Sequence, residues 1–227
     1  MTTPSGPTAR RVSWEITPMY KLFYADKSAS MGIRVVLEEI GAAYKLLPTT
    51  IVPGATRPPE QLAINPNGWV PVLVWDEGAM YEAAAITIFL CDRHPEAALA
   101  PPPDDPQRGQ FLQTLVYFSS AVQTAFQLTY YPDRFADTPA DEPSAVRRGN
   151  RRLKETLSII DDQIGDNTWL LGDKFSAADI YLLMLTTWMR PEEKGHPAPA
   201  TFPNIHRITK ATSKRPAVAR VYGVPSA

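Results

Sequence analysis

Cysteine and histidine are scarce in this chain of 227 residues. The single cysteine, Cys91, excludes an internal disulfide and is typical of a protein from a reducing compartment, so we expect a cytoplasmic location. The three histidines, His94, His196 and His206, lack the spacing of zinc ligands. The sequence therefore predicts a site without a metal.

Excess charge and long apolar runs are also lacking. The 23 Lys and Arg residues are offset by 24 Asp and Glu residues, which leaves no general positive field for a nucleic acid or an anionic membrane. The longest apolar stretch, residues 180–189, is interrupted by two threonines and is shorter than the ~18 residues of a membrane span. Residues 1–18 contain no apolar core of a secretion signal, and we interpret them as a flexible tail. We expect neither a nucleic acid nor a membrane partner.

Proline, in contrast, is abundant and unevenly distributed. The chain has 23 prolines, and they cluster between residues 95 and 106, where the sequence reads PEAALAPPPDDP. Such a stretch is typical of an extended connector and not of a helix. We therefore predict a first domain at residues 19–95, a proline-rich linker at 96–106 and a second domain at 107–227.

Strand and helix patterns alternate through the predicted first domain. Short apolar runs indicate strands, and apolar residues at roughly helical spacing, such as Met31, Val35 and Leu37, indicate a helix. Pro48 is expected at the edge or end of its strand, because proline cannot donate to a sheet. The predicted segments are a strand at 20–25, a helix at 30–41, a strand at 44–52, a short helix at 58–65, strands at 72–75 and 79–81, and a helix from Glu82. This order predicts a mixed sheet covered by helices.

The predicted second domain shows helical periodicity and almost no strand pattern. Apolar residues recur every three to four positions at Phe111, Leu115, Phe118, Val122 and Phe126. A further helix is predicted at about residues 142–163, and we interpret its run of basic residues as a solvated face. The second domain is therefore predicted to contain only helices.

Three short motifs carry a resemblance to a known family. They are NPNGWVPVL at residues 65–73, YEAA at 81–84 and FSAADI at 175–180, arranged around the proline-rich linker. With these motifs, the sequence resembles the cytosolic glutathione transferases, including bacterial members, from Met19 to the C-terminus. The resemblance implies an α/β and all-α fold, in which a thioredoxin-like N-terminal domain precedes a helical-bundle C-terminal domain.

The first two motifs imply a glutathione-binding surface. In the family, the residue before a cis-proline pairs with the glutathione backbone, and here these residues are Val70 and Pro71, with Trp69 beside them. A Glu-Ser pair at the start of a helix usually holds the γ-glutamyl end, and Glu82 and Ala83 occupy these positions. Ala83 lacks the serine hydroxyl and can contribute only its amide, so weaker binding is expected.

The third motif is similar to the buried N-terminal cap of the family's core helix. Ser176 and Asp179 are expected to form a capping box, and Phe175 is expected to pack near Ile180. Such a cap satisfies backbone N–H groups that water cannot reach. The motif therefore reports on the fold and not on the chemistry.

The group that activates the glutathione thiol is expected just after the first strand. A thiol with a pKa near 8.5 is mostly protonated at pH 7, so a transferase must favour the thiolate. The resemblance implies Ser28 as the preferred catalytic donor and Ser30 as the second candidate, with Tyr24, a backbone amide or no donor as alternatives. Either serine could instead cap the first helix. Ala29 stands where bacterial relatives carry a cysteine, so mixed-disulfide chemistry is not expected, and we interpret Cys91 as a buried packing residue.

The second substrate is expected between the two domains. The resemblance places a small apolar electrophile against the first helix of the second domain. The candidate pocket residues are Gln123, Phe126, Tyr130 and Tyr131, with Trp188 and Arg190 as weaker candidates. The aromatic residues could equally be core residues at helical spacing.

These residues leave three classes of function open. The first is a glutathione transferase that uses glutathione as co-substrate and, as the family implies, forms a homodimer. The second is a glutathione-dependent isomerase, reductase or peroxidase, although the missing cysteine argues against a thiol reductase. The third is a non-enzymatic binding protein that keeps the fold without turnover.

Overall fold

A four-stranded mixed sheet forms one part of the molecule. The structure is a computed structural model that describes residues 19–223. The predicted tail at residues 1–18 lies outside the described residues. The strands are β1 at Tyr20–Tyr24, β2 at Tyr44–Pro48, β3 at Val72–Trp75 and β4 at Gly78–Tyr81. Their order is β2-β1-β3-β4, in which β1 is parallel to β2 and antiparallel to β3, and β3 is antiparallel to β4. The predicted mixed sheet is confirmed, and Pro48 ends an edge strand as expected.

Helices make up most of the remaining described chain. Three of them pack around the sheet: α1 at Ser30–Glu39, α2 at Pro59–Ile64 and α3 at Ala83–Arg93. The helical half contains α4 at Arg108–Tyr117, α5 at Gln123–Tyr130, α6 at Glu142–Ile164, α7 at Ala177–Thr186, α8 at Pro191–Lys194, α9 at Pro203–Ser213 and α10 at Pro216–Tyr222. A π-helical turn at Phe118–Val122 joins α4 and α5 into one continuous helix. The predicted thioredoxin-like sheet region followed by a helical bundle is confirmed.

Helix α1 is buried on more sides than its sequence pattern predicts. Val35 and Leu37 are buried as expected, but Ile33 and Val36 are buried too, whereas Met31 is only partly buried. The reason is that α1 contacts β1 on one side and α3, α7 and α10 on others. A pattern for one apolar face therefore predicts only part of this core.

Helices α1 and α7 approach each other closely at a glycine. A Cβ atom on Gly32 would lie 2.6 Å from the Sδ atom of Met184, a distance at which a side chain cannot be accommodated without movement. Interiors pack densely, so even one added methyl group at such a point is felt. A side chain at position 32 would therefore require Met184 to move, and glycine permits the close contact of the two helices.

The linker is less extended than its proline content predicts. Residues Pro95–Ala97 form a 3₁₀ turn, and Ala98 follows with a φ of 51°. Proline is compatible with the first position of such a turn because its φ is held near about −65°. The carbonyl of Leu99 then accepts a hydrogen bond of 2.7 Å from the Ala177 N–H at the start of α7. The linker is thus tied to the helical half and is not a free spacer.

The predictions for the basic run and for the cysteine are confirmed. The basic side chains of α6 are exposed: Arg147, Arg148, Arg151, Arg152 and Lys154. Cys91 is buried in α3, and this burial raises the pKa of its thiol to about 12, so the thiol stays protonated at neutral pH. Within residues 19–223, no helix is both long enough and apolar enough to cross a membrane.

The predicted capping box is present at the start of α7. The Ser176 side chain accepts from the Ala178 N–H at 3.3 Å, and Asp179 Oδ2 accepts from the Ser176 N–H at 2.8 Å. The other oxygen of Asp179 accepts from the Leu170 N–H at 2.8 Å. Because α7 is buried along almost its whole length, water cannot satisfy these N–H groups. The box therefore holds the start of α7 and the preceding loop together.

Removing either partner of the capping box is expected to destabilise the protein. Ser176→Ala should lower the free energy of unfolding by about 1 kcal/mol, the usual effect of losing a cap. Asp179→Ala should lower it by more than about 2 kcal/mol, because several buried N–H groups lose a charged acceptor. Urea denaturation measures both effects, and Ser144→Ala at an exposed position of α6 is the control. Equal losses in all three variants would contradict a specific role of the box.

Candidate active site

A cleft of about 390 Å³ opens between the sheet and the helical half of the described chain. One side, the sheet wall, consists of the start of α1, the loop before β3 and the start of α3; the other, the helical wall, consists of residues 119–134 and the segment after α7. Eleven of the predicted site residues line it: Ser28, Trp69, Val70, Pro71, Glu82, Ala83, Gln123, Phe126, Tyr130, Tyr131 and Trp188. Ser30 does not, because it lies behind Ser28 and is 0% exposed.

The loop before β3 presents free backbone groups to the cleft. The Val70–Pro71 peptide bond is cis, as predicted. The carbonyl of Trp69 accepts from the side-chain amides of Gln61 and Asn65, each at 3.2 Å. The N–H and C=O groups of Val70 have no hydrogen-bond partner within residues 19–223. An extended peptide could therefore add to this edge as a further strand.

The buried amides that hold this loop were only partly visible in the sequence. Asn65 belongs to the NPNGWVPVL motif, but its structural role was not predicted. Gln61 carries no sequence signal, because a lone glutamine on a short helix is usually exposed. In the structure both side chains are buried, and Gln61 also donates to the Gly68 carbonyl at 3.1 Å. They fix the backbone to which a peptide ligand would pair.

The start of α3 combines a carboxylate with open backbone N–H groups. Glu82 precedes the helix and does not lie in its first turn; its φ is 78° and its ψ is 110°. Such a backbone costs about 1–3 kcal/mol for a residue with a side chain and is found mostly at functional positions. The N–H of Ala83 lies at the helix start, where intrahelical acceptors are missing. A carboxylate beside free N–H groups can bind both ends of an amino acid, its ammonium and its own carboxylate.

The hydroxyl of Ser28 is already engaged at the start of α1. Its Oγ donates to the Ala25 carbonyl at 2.7 Å and accepts from the Ser30 N–H at 3.2 Å. The two serine Oγ atoms are 2.6 Å apart, and Ser30 Oγ accepts from the Ala25 N–H at 3.1 Å. Ser28 can donate to a ligand in the cleft only if its proton turns away from Ala25. The competition between capping and donation is thus present as predicted, whereas the Ala25 carbonyl as acceptor was not predicted.

A backbone amide offers a second donor at the same place. Ala29 lines the cleft, and its N–H has no acceptor within residues 19–223. Its φ of −64° and ψ of −18° place it at the N-cap position of α1, without a side-chain cap. The positive end of the helix dipole therefore faces the cleft here.

Gln123 is oriented on the helical wall by a buried tyrosine. Burial raises the pKa of Tyr181, so its hydroxyl keeps its proton and donates to Gln123 Oε1. Ring stacking on Phe118, with centroids 5.6 Å apart, holds Tyr181 in place. The amide nitrogen of Gln123 has no acceptor within the described residues and is free to donate in the cleft.

Aromatic rings form the floor of the helical wall. Phe126 meets the ring of Trp188 edge to face at 5.6 Å and lies 6.4 Å from the ring of Tyr130. The Tyr130 hydroxyl donates to the Trp188 carbonyl at 2.5 Å, which ties α5 to the segment after α7. Tyr131 follows at the cleft mouth. These rings make an apolar surface of mutually tilted rings, against which an apolar or aromatic ligand can pack.

A buried histidine supports the segment that follows α7. His196 is 4% exposed; its Nδ1 accepts from the Arg190 N–H at 3.0 Å, and its Nε2 lies 2.9 Å from Thr129 Oγ1. Thr129 Oγ1 already donates to a backbone carbonyl, so His196 is a neutral imidazole with its proton on Nε2. Burial, aided by the charges of Lys194 and Arg190, lowers the pKa of His196 to about 4.

Several charged and polar residues of the cleft were not predicted. They are Lys27, Arg57, Ser119, Gln127, Arg134 and Glu193. Lone polar residues in loops and on helix surfaces are usually solvated, so the sequence carries no signal for them. Arg134, for example, follows Tyr131 closely, but its guanidinium lies both 4.0 Å from the centroid of that ring and 5.1 Å from the centroid of the Trp69 ring. Only the fold brings these residues together.

Two family models match the chain. The model for the N-terminal domain of glutathione S-transferases matches residues 22–98, and the model for their C-terminal domain matches residues 143–211. The first match contains the sheet, and the second contains α7 with its capping box.

Individual relatives show the same similarity. The chain is 28% identical over 170 residues to glutathione S-transferase GstA of Escherichia coli O157:H7, and the aligned region covers 74% of this chain and 81% of that protein. It is 26% identical over 202 residues to maleylacetoacetate isomerase of Pseudomonas aeruginosa, which covers 88% of this chain and 93% of that protein. A sphingomonad glutathione S-transferase solved in complex with glutathione aligns with a TM-score of 0.77 and 26% identity, covering 89% of this chain and 97% of that chain.

The low pKa of His196 predicts a pH dependence of stability. Between its ordinary pKa of 6.5 and the folded value of about 4, the unfolded chain binds the proton more readily. The free energy of unfolding should therefore fall by about 2 kcal/mol from this group as the pH drops from 7 to 5. Urea denaturation of the wild type and of His196→Gln, which cannot titrate, isolates this contribution. The exposed His206→Gln is the control, and a pH dependence unchanged in His196→Gln would contradict the prediction.

Proposed function

Because the chain belongs to the glutathione S-transferase family, we propose that it is a glutathione transferase that joins glutathione to a small electrophile bound in the cleft. One observation carries the proposal. A single cleft contains the free backbone groups of Val70, the starts of α1 and α3, and the aromatic helical wall. These are the parts required to hold a peptide, to stabilise its thiolate and to hold an apolar reaction partner.

The sheet wall is the proposed glutathione site. The cysteinyl backbone of the tripeptide would pair with Val70, as an added strand. The γ-glutamyl end would lie against Glu82, which can bind its ammonium, and against the N–H of Ala83, which can bind its carboxylate. This arrangement directs the thiol towards the start of α1.

The start of α1 would stabilise the glutathione thiolate. The N–H of Ala29 is free, and the hydroxyl of Ser28 can turn from the Ala25 carbonyl to the sulfur. Ser30 would act through Ser28, because it is buried behind that residue and its Oγ lies within hydrogen-bond distance of the Ser28 Oγ. Charged acceptors bind donors more strongly than neutral carbonyls do, so a thiolate favours this exchange.

The chemical step would be attack of the thiolate on a carbon of the electrophile. A carbon–sulfur bond forms; in a displacement, a halide leaves with its bonding electron pair, and in an addition, the neighbouring carbon takes a proton from water. The electrophile would lie on Phe126, Tyr130, Tyr131 and Trp188. The free amide nitrogen of Gln123 can donate to negative charge that develops on the electrophile.

Glutathione-dependent isomerisation is the second candidate. The similarity to maleylacetoacetate isomerase over both halves of the chain favours it. The same thiolate would add to a conjugated double bond and leave again after rotation, so glutathione would not be consumed. Consumption of glutathione in step with product therefore distinguishes transfer from isomerisation. Ala29 in place of a cysteine gives no support to a thiol reductase.

We propose a two-fold dimer in which the sheet half of one chain packs on the helical half of the other. Exposed apolar side chains on both halves support this arrangement, among them Val52 and Tyr81 near the sheet and Val116 on α4. Such residues are candidates for burial in an interface. Sedimentation at micromolar concentration is expected to show a dimer, and a stable monomer would contradict the proposal.

Titration of the bound glutathione thiol tests the proposed function. The wild type should bind glutathione and lower the pKa of its thiol, as followed by the ultraviolet absorbance of the thiolate. Ser28→Ala should leave the affinity nearly intact, raise the thiol pKa by about one unit and reduce turnover at pH 7 about tenfold, because the lost bond favours the thiolate alone.

The Ser30→Ala variant and the thiol pKa in Ser28→Ala together show which group stabilises the thiolate. Ser30→Ala should have the smaller effect, since its hydroxyl lies behind Ser28. A thiol pKa unchanged in Ser28→Ala would assign the stabilisation to the Ala29 amide and the helix dipole. A wild-type protein that binds no glutathione would overturn the proposed function and favour a non-enzymatic role.

A further inference from the structure

Arg190 is held rigidly on the helical wall. Its Nη1 atom donates to the carbonyls of Thr187 and Met189, at 2.8 Å and 2.7 Å. Its backbone N–H donates to Nδ1 of the buried His196 at 3.0 Å. Both ends of the residue are therefore anchored, so that little conformational entropy remains to be lost when it binds a ligand.

The charge of Arg190 is not neutralised by the described protein. Within residues 19–223, no carboxylate lies within 4 Å of its guanidinium. The side chain is half-buried, and its Nε and Nη2 atoms have no hydrogen-bond acceptor among the described residues. Glu193 lines the same cleft but is exposed and forms no ion pair with Arg190. A partly desolvated guanidinium with unused donors is suited to an anionic oxygen pair.

The surroundings of Arg190 define the shape of such a ligand. Phe126, Tyr130 and Trp188 lie on the same wall and form its apolar floor. Arg134 stands at the mouth against Tyr131 and is exposed, so it adds positive charge without a fixed pocket. The helical wall thus combines an aromatic apolar surface with one anchored cation.

We infer that Arg190 is a specificity-determining residue that binds a carboxylate on the electrophile. The substrate class is then an aromatic or conjugated carboxylate whose apolar body packs against the rings of the helical wall. This inference rests on the proposed function and refines it, because a wholly apolar electrophile would leave Arg190 without a partner. The carboxylate is unchanged in the reaction and serves only in binding.

Binding of two conjugates tests the inference without requiring turnover. S-(4-carboxy-2-nitrophenyl)glutathione carries an aryl carboxylate, and its aryl carboxamide is a neutral analogue of the same shape. Calorimetry with the full-length wild type should show that the carboxylate conjugate binds about tenfold or more tightly than the carboxamide conjugate. The measured quantity is the ratio of the two dissociation constants, carboxamide over carboxylate. Arg190→Gln should reduce this ratio to about one while leaving the affinity for glutathione alone within about twofold.

Three further variants separate a direct contact from general attraction. Arg190→Lys keeps the charge without the fork of donors and should retain an intermediate ratio. Arg134→Gln should change the ratio less than Arg190→Gln does, and Arg148→Gln on the exposed face of α6 should not change it. Equal effects of Arg134→Gln and Arg190→Gln would mean a general field and would overturn the inference.

The outcomes also separate this inference from the proposed function. A wild type that binds glutathione but shows a ratio near one overturns the inference and leaves glutathione transfer standing. A rise in the glutathione dissociation constant in Arg190→Gln, equal to the loss for the carboxylate conjugate, would assign Arg190 to glutathione and likewise overturn it. A wild type that binds neither glutathione nor the conjugates overturns the proposed function itself.

Discussion

The close contact of α1 with α7 at Gly32 is the packing constraint on which the cleft depends. Gly32 lies in the first turn of α1, and its partner Met184 lies two residues before the end of α7. The contact therefore sits beneath the cleft, between the start of one helix and the end of the other. The ends of these two helices carry residues of both cleft walls, Ala29 before α1 and Trp188 after α7. A side chain at position 32 would force Met184 to move and would disturb the packing between the two helices.

The C-terminal end of α7 reaches the cleft, and the helix is held in place by hydrogen bonds that satisfy the backbone N–H groups at its N-terminal end. Asp179 accepts backbone N–H groups from its own helix start and from the loop at Leu170, and Leu99 in the linker accepts from Ala177. Without these acceptors a helix buried along its length would leave orphan donors. Beyond its C-terminus, Tyr130 and His196 hold the following segment against α5. The position of the helical wall thus follows from hydrogen bonds at both ends of one helix.

The two walls differ in the kind of group that they offer a ligand. The sheet wall offers mostly backbone N–H and C=O groups. Such groups suit a ligand that is always the same peptide, and they remain when the side chains of the wall are substituted. The helical wall offers side chains, including aromatic rings, the Gln123 amide and the anchored Arg190, which can change with the second substrate. Ser28 and Ala29 stand where the walls meet. Under the proposed function, recognition of glutathione would depend mainly on the fold, and selection of the electrophile would depend on individual residues.

Features that local interactions control could be predicted from the sequence. The order of strands and helices and the capping box of Ser176 follow from periodicity and helix capping, which act over a few residues. The cis bond before Pro71 was predicted from the resemblance of its motif to the family, because proline chemistry by itself favours the trans form. Tertiary structure alone decided the rest. The engagement of the Ser28 hydroxyl, the burial of Ser30, and the joining of Arg190 to His196 and Thr129 depend on atoms placed by the packing of whole helices. No local pattern encodes such contacts, since a polar residue looks the same in sequence whether its partner is water or a distant backbone group.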